Sequence, residues 1–253
     1  MHRKKAKGVS LDKRIVAVCS PMRASGVTLT AAALACALAE RSSASFAETG
    51  EPYVFDAYGL GKHFLLSGFT DFHRAFQEGK AFRGPENLWH GVHWAVRPGH
   101  LALPSPFPQT AKELLRFAER LPGKYTVLDC SGMEESMLAD VLDRSDTAFI
   151  VVDPLPGKLL PAAAALQRLR YAYPQSVLAV NRMNRGVHRR ELDAYLGTTR
   201  YLCLPDLGTE AVYKAEYACV LPWDIPEGRA FLSSLKKHGE TSGRNGSTVE
   251  YMV

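Results

Sequence analysis

The chain has no apolar run approaching the ~18 residues that a membrane-spanning helix needs, so no such span is expected. Cysteine is sparse. Cys19, Cys36, Cys130, Cys203 and Cys219 are odd in number, scattered, and without a CxxC pair. That pattern argues against a disulfide framework or a structural zinc site and fits buried thiols in a reducing cytoplasm. The eight histidines make no HxH or HExxH spacing, which removes the usual zinc arrangements. Neither Ser20 nor Ser131 lies in a nucleophile elbow, so a hydrolase triad has no support. No GxGxxG follows the first apolar run, which weighs against a dinucleotide-binding oxidoreductase.

What is present is a chain of 253 residues, 46% apolar and 23% charged, with a net charge of +5. That is enough for one large α/β domain with a substantial core. The positive excess gathers in MHRKKAKGVSLDKR at the start and in NRMNRGVHRR at 181–190. The first has no small-residue cleavage site behind it, so it does not read as a signal peptide. Contact with nucleic acid or an acidic lipid surface, and plain solvation, are both open readings of these clusters. No aromatic residues interleave with the charges to form a stacking platform.

Apolar runs alternate with amphipathic segments along the chain. The pattern predicts strands at 14–19, 53–56, 89–97, 125–129, 147–153, 176–181 and 200–204. It predicts helices at 29–41, 71–77, 110–121, 134–144, 159–173, 189–196, 209–216 and 225–238. Strands that alternate with helices in this way imply a three-layer α/β/α fold around a mostly parallel, doubly wound sheet. Residues 1–13 read as a flexible basic N-terminus, 14–238 as a single domain, and 239–253 as a disordered polar tail. In such sheets ligands bind at the carboxyl ends of the strands, where Ser20 onward, Asp56, Asp129, Asp153 and Asn181 are expected.

SPMRASGVTLTAA, residues 20–32, stands where a phosphate loop belongs, between a strand and a helix. An intact loop of this kind, GxxxxGKS/T, turns backbone N–H groups toward phosphates, meets the outer phosphates with lysine, and holds magnesium with the hydroxyl. Here there is one glycine, Gly26, and no lysine. A hydroxyl-rich helix cap and an anion site are both open readings. Asp56 and Asp129 can be metal acids or caps. Asn181 can face a ligand or make a turn, and Asp153 before Pro154 reads as a turn residue.

The order of these segments from about Arg14 to His238 resembles the MinD/ParA family of deviant P-loop ATPases, within the SIMIBI class. Among its members the pattern is most similar to the MinD-like proteins of pilus assembly and polar localisation. SPMRASGVTLTAAALACALAE resembles the family's KGGVGKT loop and alanine-rich helix with the lysines lost. VFDAYGLGKHFLLSG resembles its first switch, with Gly59, Leu60 and Gly68 at family spacing. KYTVLDCSG resembles its Walker B strand, with Ser131 in place of a proline. VLAVNRMNR and CLPDLGTEAVYKAEYACVLP resemble the two segments that face the base.

The resemblance implies ATP or ADP with magnesium as ligands. It places Ser25, Gly26, Val27, Thr28, Leu29 and Thr30 around the phosphates and Asn181, Arg182, Pro205 and Asp206 near the base. It assigns Thr30, Asp56 and Asp129 to the metal, with Leu29 at the lysine position and Ala57 or Tyr58 where a second switch acid belongs. Loss of both the lysine and that acid argues against efficient hydrolysis. It further implies a homodimer that recruits protein partners of a localisation, secretion or pilus system, in the cytoplasm or at a pole, nucleoid or membrane-associated complex. An active partition-type ATPase that uses the basic clusters on DNA is the alternative.

Overall fold

The computed structural model describes residues 13–64, 68–82, 87–101, 103 and 106–241. The tail from 242, the first twelve residues and part of the switch-like segment (65–67) lie outside it.

The run RIVAVC forms β1 (Arg14–Cys19), buried beyond its first residue. After a loop comes α1 (Val27–Ala39), whose alanines Ala31, Ala33, Ala35 and Ala37 are all buried. Small side chains on every side let this helix lie close to the sheet and also pack against the last helix. The chain continues through β2 (Ala44–Glu48), α2 (Val54–Ala57), α3 (Leu60–Phe64) and α4 (Phe72–Gln77). Then follow β3 (Leu88–Trp89), β4 (Val92–Ala95), α5 (Ala111–Arg120), β5 (Tyr125–Asp129) and α6 (Glu135–Leu142). The last third holds β6 (Thr147–Val152), α7 (Pro156–Ala172), β7 (Val177–Met183), α8 (Arg189–Leu196), β8 (Leu202–Pro205), α9 (Gly208–Ala218) and α10 (Arg229–Thr241).

The strands form one sheet in the order β3-β4-β2-β5-β1-β6-β7-β8, parallel throughout except for the β3–β4 hairpin. Side chains alternate across it. Val16 and Val18 face a layer that contains α1 and α10, while Ile15, Ala17 and Cys19 face one built from α5, α6, α7 and α8. This is the expected three-layer, mostly parallel architecture. All five cysteines are free thiols, and Cys19, Cys36 and Cys130 are buried as expected while Cys203 and Cys219 are partly exposed. No helix among the described residues is long and apolar enough to cross a membrane.

Two expectations fail. The aromatic, strand-like YVFD is the start of the short helix α2, because the Glu48 side chain caps it: Oε1 accepts from Tyr53 N at 2.9 Å and Val54 N at 3.0 Å. The second parallel strand is instead ASFAE, β2, buried at all five positions between β4 and β5. Its alanine, serine and glutamate have low strand propensity, and burial in a central strand overrides that preference. The single strand expected at 89–97 is the hairpin β3–β4, turned at His90 and Gly91, both at positive φ (51° and 74°). Helix α10 also runs past the boundary at 238, to Thr241.

Candidate functional site

Because β1, β2, β5, β6 and β7 run parallel, their carboxyl ends share one edge of the sheet, and the loops that leave them converge there. A cleft of about 1010 Å³ opens at this edge. Residues 20–29 form one wall, residues 130–134 a second, and residues 206–209 with Val212, Glu216 and Pro222 the far side.

The loop 20–26 ends at Gly26, which takes φ 91° as the N-cap of α1. Ala24 is also left-handed, at φ 51°. The helix therefore begins at Val27, and the residue directly after the loop glycine is Val27, not Leu29. Its side chain is buried in the apolar layer of α1, so an aliphatic group stands where a phosphate-loop lysine would. The next residue, Thr28, carries the hydroxyl that faces the acid: its Oγ1 lies 3.4 Å from Ser131 Oγ and within hydrogen-bonding reach of Asp129. Thr30, the expected metal hydroxyl, is fully buried and donates to Gly26 O at 2.9 Å inside the helix. Counting GKS/T from Gly26 itself would have found both positions. The expected register, with Leu29 at the lysine position and Thr30 as the metal hydroxyl, lies two residues too far along the chain.

Asp129 ends β5 at 1% exposure. Burial raises its pKa, opposed by hydrogen bonds from Thr28 and the Ser131 N–H, the latter at 3.0 Å. Directly across the strand pair stands Glu48, in register with Asp129 at the end of β2. Glu48 is buried, and its Oε2 has no partner among the described residues. Burial, with the nearby Asp129 charge, pushes its pKa up to about 7, against the helix-capping N–H groups and Arg97. Sequence reasoning missed Glu48 because it missed β2. Asp56, which it chose instead, lies exposed on α2, where its Oδ2 accepts from Gly99 N at 3.1 Å. Asp56 is outside the cleft and does not join Asp129. Ala57 is buried, and Tyr58 is buried with part of its surface on the cleft.

Asn181 is buried, and both ends of its amide are used inside the protein. Nδ2 donates to Ser25 O at 2.8 Å, and Oδ1 accepts from Arg182 N at 2.8 Å. It forms part of the cleft wall and braces the loop. Arg182 (φ 58°) and Lys158 extend this brace, donating to Ala24 O at 3.0 and 3.1 Å. Both also pair with Asp153, Lys158 at 3.0 Å. Burial alone would raise the Asp153 pKa, but the Leu155 N–H, Lys158 and Arg182 hold it below the usual carboxylate range. Asp153 also makes the expected turn, its Oδ1 accepting from Leu155 N at 3.0 Å. Asp206 lines the cleft and caps α9 through Gly208 N at 3.1 Å, while Pro205 closes β8 outside the lining. Across the mouth, the Tyr53 hydroxyl donates to Glu216.

A nucleotide with magnesium fits this donor set in part. The cradle is one that a side chain would fill: a β-carbon at Gly26 would lie 2.1 Å from Asn181 Nδ2. Thr28 and Asp129 form the hydroxyl–carboxylate pair that would hold the ion, and α1 offers its N-terminus to phosphate. The lysine charge has no counterpart at its own position. Arg23, exposed on the loop, and Arg182 are the cations that line the cleft, beside the acids Glu134, Asp206 and Glu216.

A scan against protein-family models finds no match, and neither does a search of curated protein sequences. Solved structures do match. A plasmid partition protein of Borrelia burgdorferi bound to AMPPNP superposes with a TM-score of 0.65 at 12% identity, covering 91% of this chain and 99% of that one. The septum site-determining protein MinD of Pyrococcus horikoshii, in complex with Mg-ADP, has a TM-score of 0.60 at 16% identity and coverage of 91% and 98%. A ParA family ATPase of Chlorobium tepidum has a TM-score of 0.59 at 13% identity and coverage of 90% and 98%. The chain therefore has the MinD/ParA-type P-loop fold over nearly its whole described length.

Proposed function

We propose that this protein is a MinD/ParA-like molecule of weak or absent ATPase activity that works by dimerising and recruiting partners. The process it serves, on this reading, is the localisation or assembly of a bacterial machine such as a pilus. The observation that carries the reading is Val27, an apolar side chain in the core layer directly after the loop glycine. Phosphoryl transfer relies on positioning and on neutralising charge at the outer phosphate. A valine supplies neither. The two cations that touch the loop, Lys158 and Arg182, are committed to Asp153 and to Ala24 O.

When bound, magnesium would supply charge neutralisation between the phosphates, and Thr28 with Asp129 would hold it. The backbone around Gly26 would orient the phosphate chain, and Arg23, an exposed cation in the cleft lining, would contribute charge. A second reading, a working partition-type ATPase that binds DNA, draws on the Thr28–Asp129 pair, which is retained.

Calorimetric titration with ATP and with ADP, with and without magnesium, on the wild type and on Asp129→Ala separates the two. Weak or absent binding without turnover is expected. Micromolar binding with turnover that Asp129→Ala abolishes would overturn the reading.

A further inference from the structure

A four-residue pattern occurs twice at the cleft. CSPM, residues 19–22, begins on the last residue of β1, and CSGM, residues 130–133, directly follows β5. The two strands are parallel neighbours with Val18 in register with Asp129, and Cys130 N donates to Val18 O at 3.0 Å, so the ladder sets Cys19 beside Cys130. Neighbouring strands lie ~4.8 Å apart, and residues in register face the same side of the sheet. Both cysteines are buried in the layer built from α5, α6, α7 and α8. Asp129, one residue earlier, faces the other way, toward Thr28 on α1.

Each loop then turns its methionine back. Met133 N donates to Cys130 O at 3.4 Å across Gly132 at φ 71°, the left-handed third residue of a β-turn. Met22 N donates to Ser20 Oγ at 3.0 Å. Met22, 9% exposed, and the partly buried Met133 pack on the same layer as the two thiols, and with Cys130 they line the cleft. Four sulfur-bearing side chains therefore gather on one side of the sheet edge, two in the buried layer and two between it and the cleft.

Burial pushes the Cys19 thiol up to about 12 and the Cys130 thiol well above its ordinary value. A free thiolate, and nucleophilic or exchange chemistry with it, is therefore disfavoured. No group of three or more His, Cys, Asp or Glu side chains suited to a metal exists among the described residues, which sets zinc aside. Thiol and thioether sulfurs together suit a soft monovalent ion, copper(I) above all.

We propose that Cys19, Cys130, Met22 and Met133 form a binding site for copper(I). The ~4.8 Å between the strands is about twice a metal–sulfur bond of ~2.3 Å, so one ion spans the two thiols. The first thiol to bind gives its proton to solvent. One thiolate, one monovalent cation and two thioethers then carry no net charge, which a buried site tolerates. The methionines on the cleft give the ion its way in. Bound there, it ties the loop after β1 to the loop after β5, two walls of the cleft. The site uses other residues than the Thr28–Asp129 pair and does not depend on nucleotide being bound.

The reduced full chain is titrated anaerobically with copper(I) against the chromogenic chelator bicinchoninate, with zinc(II) as control. Three variants are compared, each checked for folding by circular dichroism. Cys203→Ser/Cys219→Ser removes the two partly exposed thiols, Met22→Leu/Met133→Leu keeps side-chain volume, and Cys19→Ala/Cys130→Ala removes the paired thiols. The wild type and the Cys203/Cys219 variant are expected to bind a single copper(I) per chain, more tightly than zinc. Affinity should fall about tenfold or more in the methionine variant and further in the alanine variant. X-ray absorption at the copper edge of the loaded wild type should show sulfur at about 2.3 Å and no nitrogen or oxygen. Binding lost with Cys203 and Cys219, affinity unchanged in the methionine variant, or a nitrogen or oxygen shell would each overturn the proposal. The methionine variant and the absorption spectrum carry the test where the alanine variant fails to fold.

Discussion

Asn181 fills the space that a side chain at position 26 would need. A β-carbon on Gly26 would sit 2.1 Å from Asn181 Nδ2, the same atom that donates to Ser25 O at 2.8 Å. The loop and the end of β7 are therefore interlocked, and glycine is required twice over, by the contact and by φ 91°.

Gly26→Ala is expected to cost about 1–3 kcal/mol, from left-handed strain plus the displaced amide. Adding Asn181→Ala removes the clash and leaves the strain. Urea midpoints of the two single variants and the double variant form a cycle. A coupling of at least about 0.5 kcal/mol is expected, and simple additivity would show that the two residues do not interlock.

Val27→Lys restores the missing charge at the position where the helix start places it. Nucleotide affinity is expected to rise about tenfold, the equivalent of about 1.4 kcal/mol. Stability should fall by about 1 kcal/mol, because Val27 leaves the apolar layer. Titration with ATP and a thermal scan read the two effects separately. Unchanged affinity would mean that something other than the lost lysine limits binding.

Glu48 and His73 make opposed contributions to stability as pH changes. The Glu48 pKa is raised to about 7, so its contribution is full below the unfolded carboxylate value near 4.5 and is lost as pH rises toward 7. Burial lowers the His73 pKa to about 4, against the pull of the Glu48 carbonyl and Asp71. Its contribution is full above the unfolded imidazole value near 6.5 and is lost as pH falls toward 4. Asp129, whose pKa burial also raises, adds a slope of the same sign as Glu48, so two carboxylates oppose the histidine slope of up to about 1.4 kcal/mol per pH unit. Glu48→Gln keeps an oxygen to cap α2 and removes one of the two opposing slopes. Denaturation of the metal-free protein between roughly pH 4.5 and 6.5 should show the stability of the variant rising more with pH, or falling less, than that of the wild type. Identical slopes in the two proteins would rule out the Glu48 contribution.

Tyr53→Phe cuts the strap from α2 to Glu216 on α9. The hydrogen bond is partly exposed, so the global cost should stay within about 1 kcal/mol. Hydrogen exchange of the backbone from Val54 to Tyr58 should nevertheless quicken, because α2 is only four residues long and keeps the Glu48 cap as its other restraint. Unaltered exchange in that segment would show that the strap does not hold it.

Much of the framework is legible in the chain. TAFIVVD and YTVLD read as buried strands and are β6 and β5, since a continuous apolar run has no other place to go. RRELDAYL stops at Gly197, which takes φ 62° as a helix-ending glycine does. ASFAE was illegible because its side chains are small and polar and only its central place in the sheet makes it a strand. YVFD was misread because its aromatic pattern is overridden by a cap from Glu48. With β2 went Glu48, and with the loop register went the particular roles of Val27 and Thr28, both of which the resemblance had placed around the phosphates.

The sequence alone determined the alternation of strands and helices, the layers they build, the loop of small residues after β1, and its lack of lysine. Tertiary structure decided that Glu48 and not Asp56 lies beside Asp129, and that Asn181 braces the loop. Periodicity reports how each segment meets the core. Helix phase at Gly26, the Glu48–Asp129 register and the Asn181–Ser25 bond depend instead on segments far apart in the chain, brought together only when the sheet has formed.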